Sequence, residues 1–184
     1  EWPNRYRNPN SKAVSRFAEE HADEVDFHLF VQALAHEGLA SVQARAKAAG
    51  MATGLIGDLA VGVDPGGSDC WALGDVMLRG LTIGAPPDPL GPHGQNWAIT
   101  SFSPEGLRRT GYAPWIAMIR SALAHGGALR IDHAFGLARL WVIPEGRGPG
   151  DGAYLAYPFE DLIRILTLEA HLADAFVIAE DLGT

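Results

Sequence analysis

From the amino end, hydrophobic positions in the chain follow first a helical and then an extended rhythm. Between Asp26 and Ala49, apolar side chains fall at Phe27, Phe30, Val31, Leu34, Leu39, Val42 and Ala46. Gaps of mostly three to five residues predict a helix with one apolar face. Gly50 stands where such a helix would stop on a left-handed residue. Met51 to Val63 is a mostly apolar run interrupted by Asp58, which predicts a buried strand. Ser103-Pro104-Glu105 and Ala113-Pro114 place proline in the first turn of two further helices, the second closed by Gly126 and Gly127. Ala128 to His133 then reads as a short strand, Phe159 to Ala173 as an amphipathic helix and Ala175 to Glu180 as another strand. The opening residues, Glu1 to Asn10, read as loop.

The stretch at about residues 64–103 lacks either rhythm and is rich in proline and glycine, with Pro86, Pro87, Pro89 and Pro92 close together. An irregular segment of that length is expected to be a functional lid. Strands alternating with helices predict an α/β fold with a parallel sheet and crossover helices. Periodicity alone leaves an open sheet and a closed barrel as alternatives. In either, Asp58, Asp132 and Glu180 fall at or near the carboxyl ends of three strands, the edge where parallel α/β folds carry their chemistry.

Composition narrows the partners. The chain has 184 residues, a formal net charge of -8 and a pI near 5.2, which disfavours a nucleic-acid backbone as ligand. No apolar stretch approaches the roughly 20 residues that span a bilayer, so no membrane partner is expected. A lone cysteine, Cys70, cannot form an internal disulfide, which fits a reducing, cytoplasmic location. Glu1 and Thr184 both look like cut ends, so the chain reads as a fragment of a longer protein.

Two carboxylates stand out. Arg130 and Asp132 share a strand face, and a neighbouring guanidinium favours the ionised acid that a nucleophile needs. A structural Asp–Arg pair is the alternative. Glu180 follows the apolar run Ala175 to Ala179. That setting predicts a raised pKa, suited to a general acid; a helix cap or an arginine partner is the alternative. Tips of adjacent strands are about 4.8 Å apart, which puts such carboxylates near the roughly 5–5.5 Å separation of a retaining glycosidase. Within the lid, Gly94-Gln95-Asn96-Trp97 sets two amides beside an aromatic ring, a set suited to sugars, or simply a Trp that packs the lid down.

At these residues the chain resembles glycoside hydrolase family 77, the 4-α-glucanotransferases, over nearly its whole length and least in the first twenty or so residues. The resemblance rests, in order, on Gly57-Asp58-Leu59 followed by Trp71, Gly84 to Asp88, Gly94 to Trp97, Gly126 to His133, Gly136 to Pro144, Gly152 to Pro158 and Glu180 to Thr184. It implies that residues 1–184 are the central segment of a catalytic (β/α)8 TIM-type barrel, with its lid at about 64–103. It also implies a retaining double displacement on α-1,4-glucans, with Asp132 as nucleophile and Glu180 as acid/base. Substrate contacts would fall on Asp58, Trp97, Arg130, His133 and Asp181, with maltooligosaccharides and α-1,4-glucans as partners and no cofactor. A third acidic residue would lie beyond Thr184, so the isolated segment is expected to be inactive. The chain departs from the family pattern at Ala98 and Thr100, where Gly and Pro are usual, and at Ala179, usually Gly. It departs again at Leu168-Glu169-Ala170-His171-Leu172, usually Leu-Glu-Ser-x-Arg. These positions bear on lid shape and acceptor preference. Two other functions fit the residues alone: a metal-dependent barrel hydrolase built on Asp58, Asp132, His133 and Glu180, and a non-catalytic glucan-binding fragment.

Overall fold

A computed structural model of the chain describes residues 3–181. The end of the motif that begins at Glu180, residues 182–184, lies outside the described residues.

Three short strands, β1 (Ile56–Leu59), β4 (Ala128–Ile131) and β7 (Phe176–Ala179), form a parallel sheet in the order β1-β4-β7. Its central strand is the most deeply buried, with Ala128 and Leu129 fully enclosed. The crossovers between these strands carry helices α5 (Ala113–Leu123) and α6 (Phe159–Leu172). In α5 the buried residues are Trp115, Ile119 and Leu123, and in α6 they are Leu162, Leu166, Glu169 and Ala170. Both sets recur at helical spacing, so each helix turns one stripe towards the sheet and towards the other helix. Trp115 Nε1 donates to the Leu162 carbonyl at 3.3 Å, and Arg120 grips the buried Glu169 carboxylate through Nε at 2.7 Å and Nη2 at 2.9 Å. The predicted helix starts hold: Ser103 caps α4 (Pro104–Arg109), accepting from the Gly106 N–H at 3.3 Å, and Pro114 lies in the first turn of α5.

The expected lid is not an irregular loop. It holds a short helix, α3 (Ser68–Leu73), and two strands, β2 (Leu81–Ala85) and β3 (Gln95–Ile99). Two strands absent from the sequence reading, β5 (Arg139–Pro144) and β6 (Ala153–Ala156), join them in an antiparallel sheet of order β3-β2-β5-β6. The reason is long-range pairing. Leu81 to Gly84 align with Pro144 to Trp141, partners far apart in the chain, so local spacing carries little trace of the ladder. Both insertions leave the carboxyl end of a parallel strand, the first after β1 and the second after β4. Thr100 closes the base of the first by a reciprocal backbone pair with Val63, at 2.8 and 2.9 Å. The hydroxyl of the half-buried Tyr157 donates to the Phe102 carbonyl at 2.6 Å.

Two further expectations need correction. Only Ile56–Leu59 of the run Met51 to Val63 is extended, because Gly62 lies so close to the Thr100 carbonyl that the chain is already turning towards the second sheet. The first helix is longer than expected and does not present one packed face. A helix α1 (Lys12–Glu20) precedes α2 (Ala22–Ala48), and no residue of either is buried. Phe27, Leu29, Phe30, Val31, Leu34, Leu39 and Val42 are all exposed, and three of these are consecutive, so they surround α2 instead of striping it. What ties α2 to the rest is polar. Gln43 Oε1 accepts from the Leu55 N–H at 2.6 Å, and His36 Nδ1 meets His125 Nε2 at 2.9 Å.

Candidate active site

The register of the parallel sheet places the candidate residues in rows. Asp58, Arg130 and Ile178 are partners in one row, and Leu59, Ile131 and Ala179 in the next. The ladder runs one step further: Asp132 donates its N–H to Leu59 O and Glu180 donates its N–H to Ile131 O, both at 3.0 Å. Asp132 and Glu180 therefore stand side by side, two residues beyond the Arg130 row and on the same face.

Arg130 is the hub. Its Nη1 donates to both oxygens of Asp58, each at 2.8 Å. Its Nη2 lies 3.0 Å from Asp132 Oδ1 and 3.1 Å from Glu180 Oε1. Because the two oxygens share one nitrogen, they cannot be further apart than two hydrogen-bond lengths. The other Glu180 oxygen, Oε2, accepts the His133 backbone N–H at 2.6 Å. That N–H is aimed by a left-handed turn at His133, φ +47°, directly after Asp132.

This wiring overturns the expected raised pKa of Glu180. The His133 N–H, supported by the Arg130 guanidinium, holds its carboxyl below the usual range, although partial burial opposes them. The apolar run before Glu180 is genuine, but the side chain leaves it for an arginine and a backbone donor. The guanidinium of Arg130 is in turn held firmly protonated, first by Asp58 and also by Glu180 and Asp132.

Trp97 reaches this cluster from the second sheet. Its ring meets the His133 ring edge-to-face, with centroids 5.3 Å apart, and its Nε1 donates to Gln95 Oε1 at 2.8 Å. Beneath Asp132 and His133 lies a cavity of about 50 Å³ walled by Leu59, Ile131, Leu140 and Tyr157 among others. The structure thus brings together Asp58, Trp97, Arg130, Asp132, His133 and Glu180. Asp181 is exposed just past the end of β7 and joins no contact of the cluster. Sequence reasoning missed the use of the His133 main chain. A backbone N–H turned by a positive φ leaves no mark in residue spacing. The position of Gln95 two residues before Trp97 did signal an amide beside the ring.

Fold and site together define an α/β protein whose carboxylates converge on one arginine at the carboxyl edge of a parallel sheet. Across residues 1–184 the chain matches the family model described as 4-alpha-glucanotransferase, glycoside hydrolase family 77, and it belongs to that family. It is 49% identical over 183 residues to a 4-alpha-glucanotransferase of Mycobacterium tuberculosis, covering 100% of this chain and 25% of the relative. The corresponding figures for the Haemophilus influenzae 4-alpha-glucanotransferase are 40% identity, 100% and 26%. Among solved structures it superposes on an amylomaltase from Corynebacterium glutamicum with a TM-score of 0.85 at 45% identity, over 88% of this chain and 23% of that one. An amylomaltase from Streptococcus agalactiae, solved in complex with acarbose, gives 0.87 over 100% of this chain and 38% of that one. At 22% identity, it speaks for the fold alone. The chain spans about a quarter of the length of the curated relatives it matches.

Proposed function

We propose that the protein containing this segment is a cytoplasmic 4-α-glucanotransferase, and that Asp132 and Glu180 carry a retaining transfer between α-1,4-glucans. The observation behind this reading is the pairing of these two carboxylates in register on adjacent parallel strands, within hydrogen-bond reach of one guanidinium. Strands β1, β4 and β7 would be neighbouring staves of a (β/α)8 barrel. Among the described residues β1 and β7 each pair on one side only, which leaves an edge open to a further strand.

In the first step, Asp132 attacks the anomeric carbon while Glu180 gives its proton to the departing glycosidic oxygen, leaving a covalent glycosyl ester on Asp132. In the second, the 4-hydroxyl of an acceptor sugar passes its proton to Glu180 and displaces Asp132, restoring the α linkage. Glu180 needs a proton for the first step, yet His133 and Arg130 favour its ionised form. A glucan covering the carboxyl removes water from it, and desolvation is the effect that raises a carboxylate pKa. Transfer outcompetes hydrolysis when the antiparallel sheet bearing Trp97 keeps water from the ester. Trp97, His133 and Asp181 are the groups proposed to meet the sugars, with maltooligosaccharides as donors and acceptors.

A metal-dependent hydrolase is not favoured, because the Arg130 guanidinium fills the space between the three carboxylates where a cation would have to sit. In the full-length protein, Asp132→Asn and Glu180→Gln should each abolish disproportionation of maltotriose. Retained glucose release by either variant refutes the assignment.

A further inference from the structure

At the amino end of the parallel sheet, away from the carboxylates, two histidines distant in sequence meet. His36 lies on α2 and His125 in the turn between α5 and β4. Nδ1 of His36 is 2.9 Å from Nε2 of His125, and the rings stand edge-to-face at 75° with centroids 4.2 Å apart. Residues 53–55 hold both of the elements that carry them. Gln43 of α2 accepts the Leu55 N–H at 2.6 Å and donates to the Thr53 carbonyl at 3.1 Å. Gly127, two residues past His125, donates its N–H to the Leu55 carbonyl at 3.0 Å. It comes so near that a Cβ there would stand 2.3 Å from the Thr53 carbonyl oxygen. The rings therefore meet on a scaffold that their own contact does not have to supply.

The spacing of the two nitrogens fits more than a hydrogen bond. An imidazole nitrogen binds a divalent transition ion at about 2.0–2.1 Å. Two such bonds at right angles set the nitrogens about 2.9 Å apart, whereas a tetrahedral angle needs about 3.3–3.4 Å. The observed 2.9 Å is thus the separation of neighbouring positions on a square-planar or octahedral ion. We propose that His36 Nδ1 and His125 Nε2 form a two-imidazole chelate for a nitrogen-preferring transition ion of that geometry, with the chemistry of Ni2+ or Cu2+ and not of Mg2+ or Ca2+. In the ion-free pair, one of the two nitrogens donates its proton to the other. On binding, that proton moves to the second nitrogen of its own ring, so both contact nitrogens offer lone pairs and no net proton is released. No group of three or more histidines, cysteines or carboxylates able to hold a metal occurs among the described residues, so water fills the remaining positions. His36 is exposed and His125 half-buried, which leaves the pair open to an ion from solvent. There the ion is a clamp between α2 and the turn before β4.

The test uses the full-length protein with NiCl2 as the probe. Crystals soaked in NiCl2 and measured at the nickel absorption edge should show an anomalous peak about 2.1 Å from both nitrogens. In calorimetric titration, His36→Gln and His125→Gln should each weaken one bound equivalent by about tenfold or more, since each removes one arm of a chelate. His28→Gln, which removes an exposed histidine of the same helix, should leave that equivalent unchanged, and MgCl2 should bind at neither ring. The melting temperature of the parent should rise with NiCl2 and that of either pair variant should rise less. A peak on one nitrogen alone, or equal affinity in the parent and both pair variants, would overturn the proposal. So would an equal loss in His28→Gln, which would assign the ion to scattered surface histidines. If neither pair variant folds, the soaked parent crystal decides: a peak shared by both nitrogens supports the chelate and its absence ends it.

Discussion

A single methyl group at Gly84 should separate the placing of Trp97 from the chemistry of the carboxylates. Gly84 lies in β2, paired with Asn96 on one side and Trp141 on the other, beside an irregularity in the β2–β3 register. A Cβ at this position would stand 1.9 Å from Gln95 O, 2.9 Å from Gln95 C and 3.0 Å from Ile143 Cδ1. The first two neighbours are backbone and cannot rotate away. Ordinary contact begins at 3.4 Å, so β3 must retreat by about 1.5 Å in a region packed to crystal-like density. The retreat occurs two residues before Trp97, and Gln95 also holds the indole N–H. Overpacking of this kind costs about 1–3 kcal/mol, and an ångström-scale misplacement of a positioning group costs up to about 100-fold in rate. For Gly84→Ala in the full-length protein, kcat/KM for maltotriose should fall roughly 10- to 100-fold, alongside a modest drop in melting temperature. Gly80→Ala is the control. Its φ of +66° also disfavours a side chain, but nothing lies within 4 Å of its would-be Cβ. It should lose stability and keep its kcat/KM. A Gly84→Ala enzyme with kcat/KM within twofold of the parent would refute the claim that β3 sets the position of Trp97.

Two more outcomes follow from the geometry. Ala98 adopts φ +56°, its N–H held by Asn96 Oδ1 at 2.9 Å, so Ala98→Gly should relieve left-handed strain and stabilise the protein by up to about 1 kcal/mol; a lower melting temperature would contradict it. The pKa of Glu169 is lowered by Arg120, so as pH falls the unfolded chain takes up this proton first. The stabilisation is complete above the ordinary value of 4.5 and drains away below it. The melting temperature of the full-length parent should therefore decline more steeply than that of Glu169→Gln as pH is lowered through that range. Parallel curves would show that the pair contributes nothing to acid sensitivity.

What the sequence could show depended on how local the cause was. The starts of α4 and α5 were legible because Ser103 with Pro104, and Pro114, act within their own first turns. Strands β4 and β7 were legible because apolar runs end at ionisable residues, and the shared face of Arg130 and Asp132 follows from strand alternation alone. The family resemblance added the roles, and the register then brought most of those residues to one place. The antiparallel sheet was not legible, since Thr82 and Ile143 pair across a gap that no local window covers. The state of Glu180 was misread for a related reason. The apolar residues before it predict desolvation, but its actual partners come from β4 and the turn after it. The apolar spacing of α2 gave a helix correctly and its packing wrongly, because Leu29, Phe30 and Val31 point in different directions around the axis.

The interleaving of the two insertions has a mechanical consequence. β2 and β3 belong to one excursion of the chain and β5 and β6 to another, yet β2 and β5 are neighbours at the middle of a single sheet. Neither excursion can swing aside without tearing the other's hydrogen bonds. Any displacement of this layer must move all four strands as one leaf, flexing at its attachments near Val63, Thr100 and Tyr157. The layer that carries Trp97 towards His133 is thus tied into one piece by two separate stretches of chain instead of hanging from one.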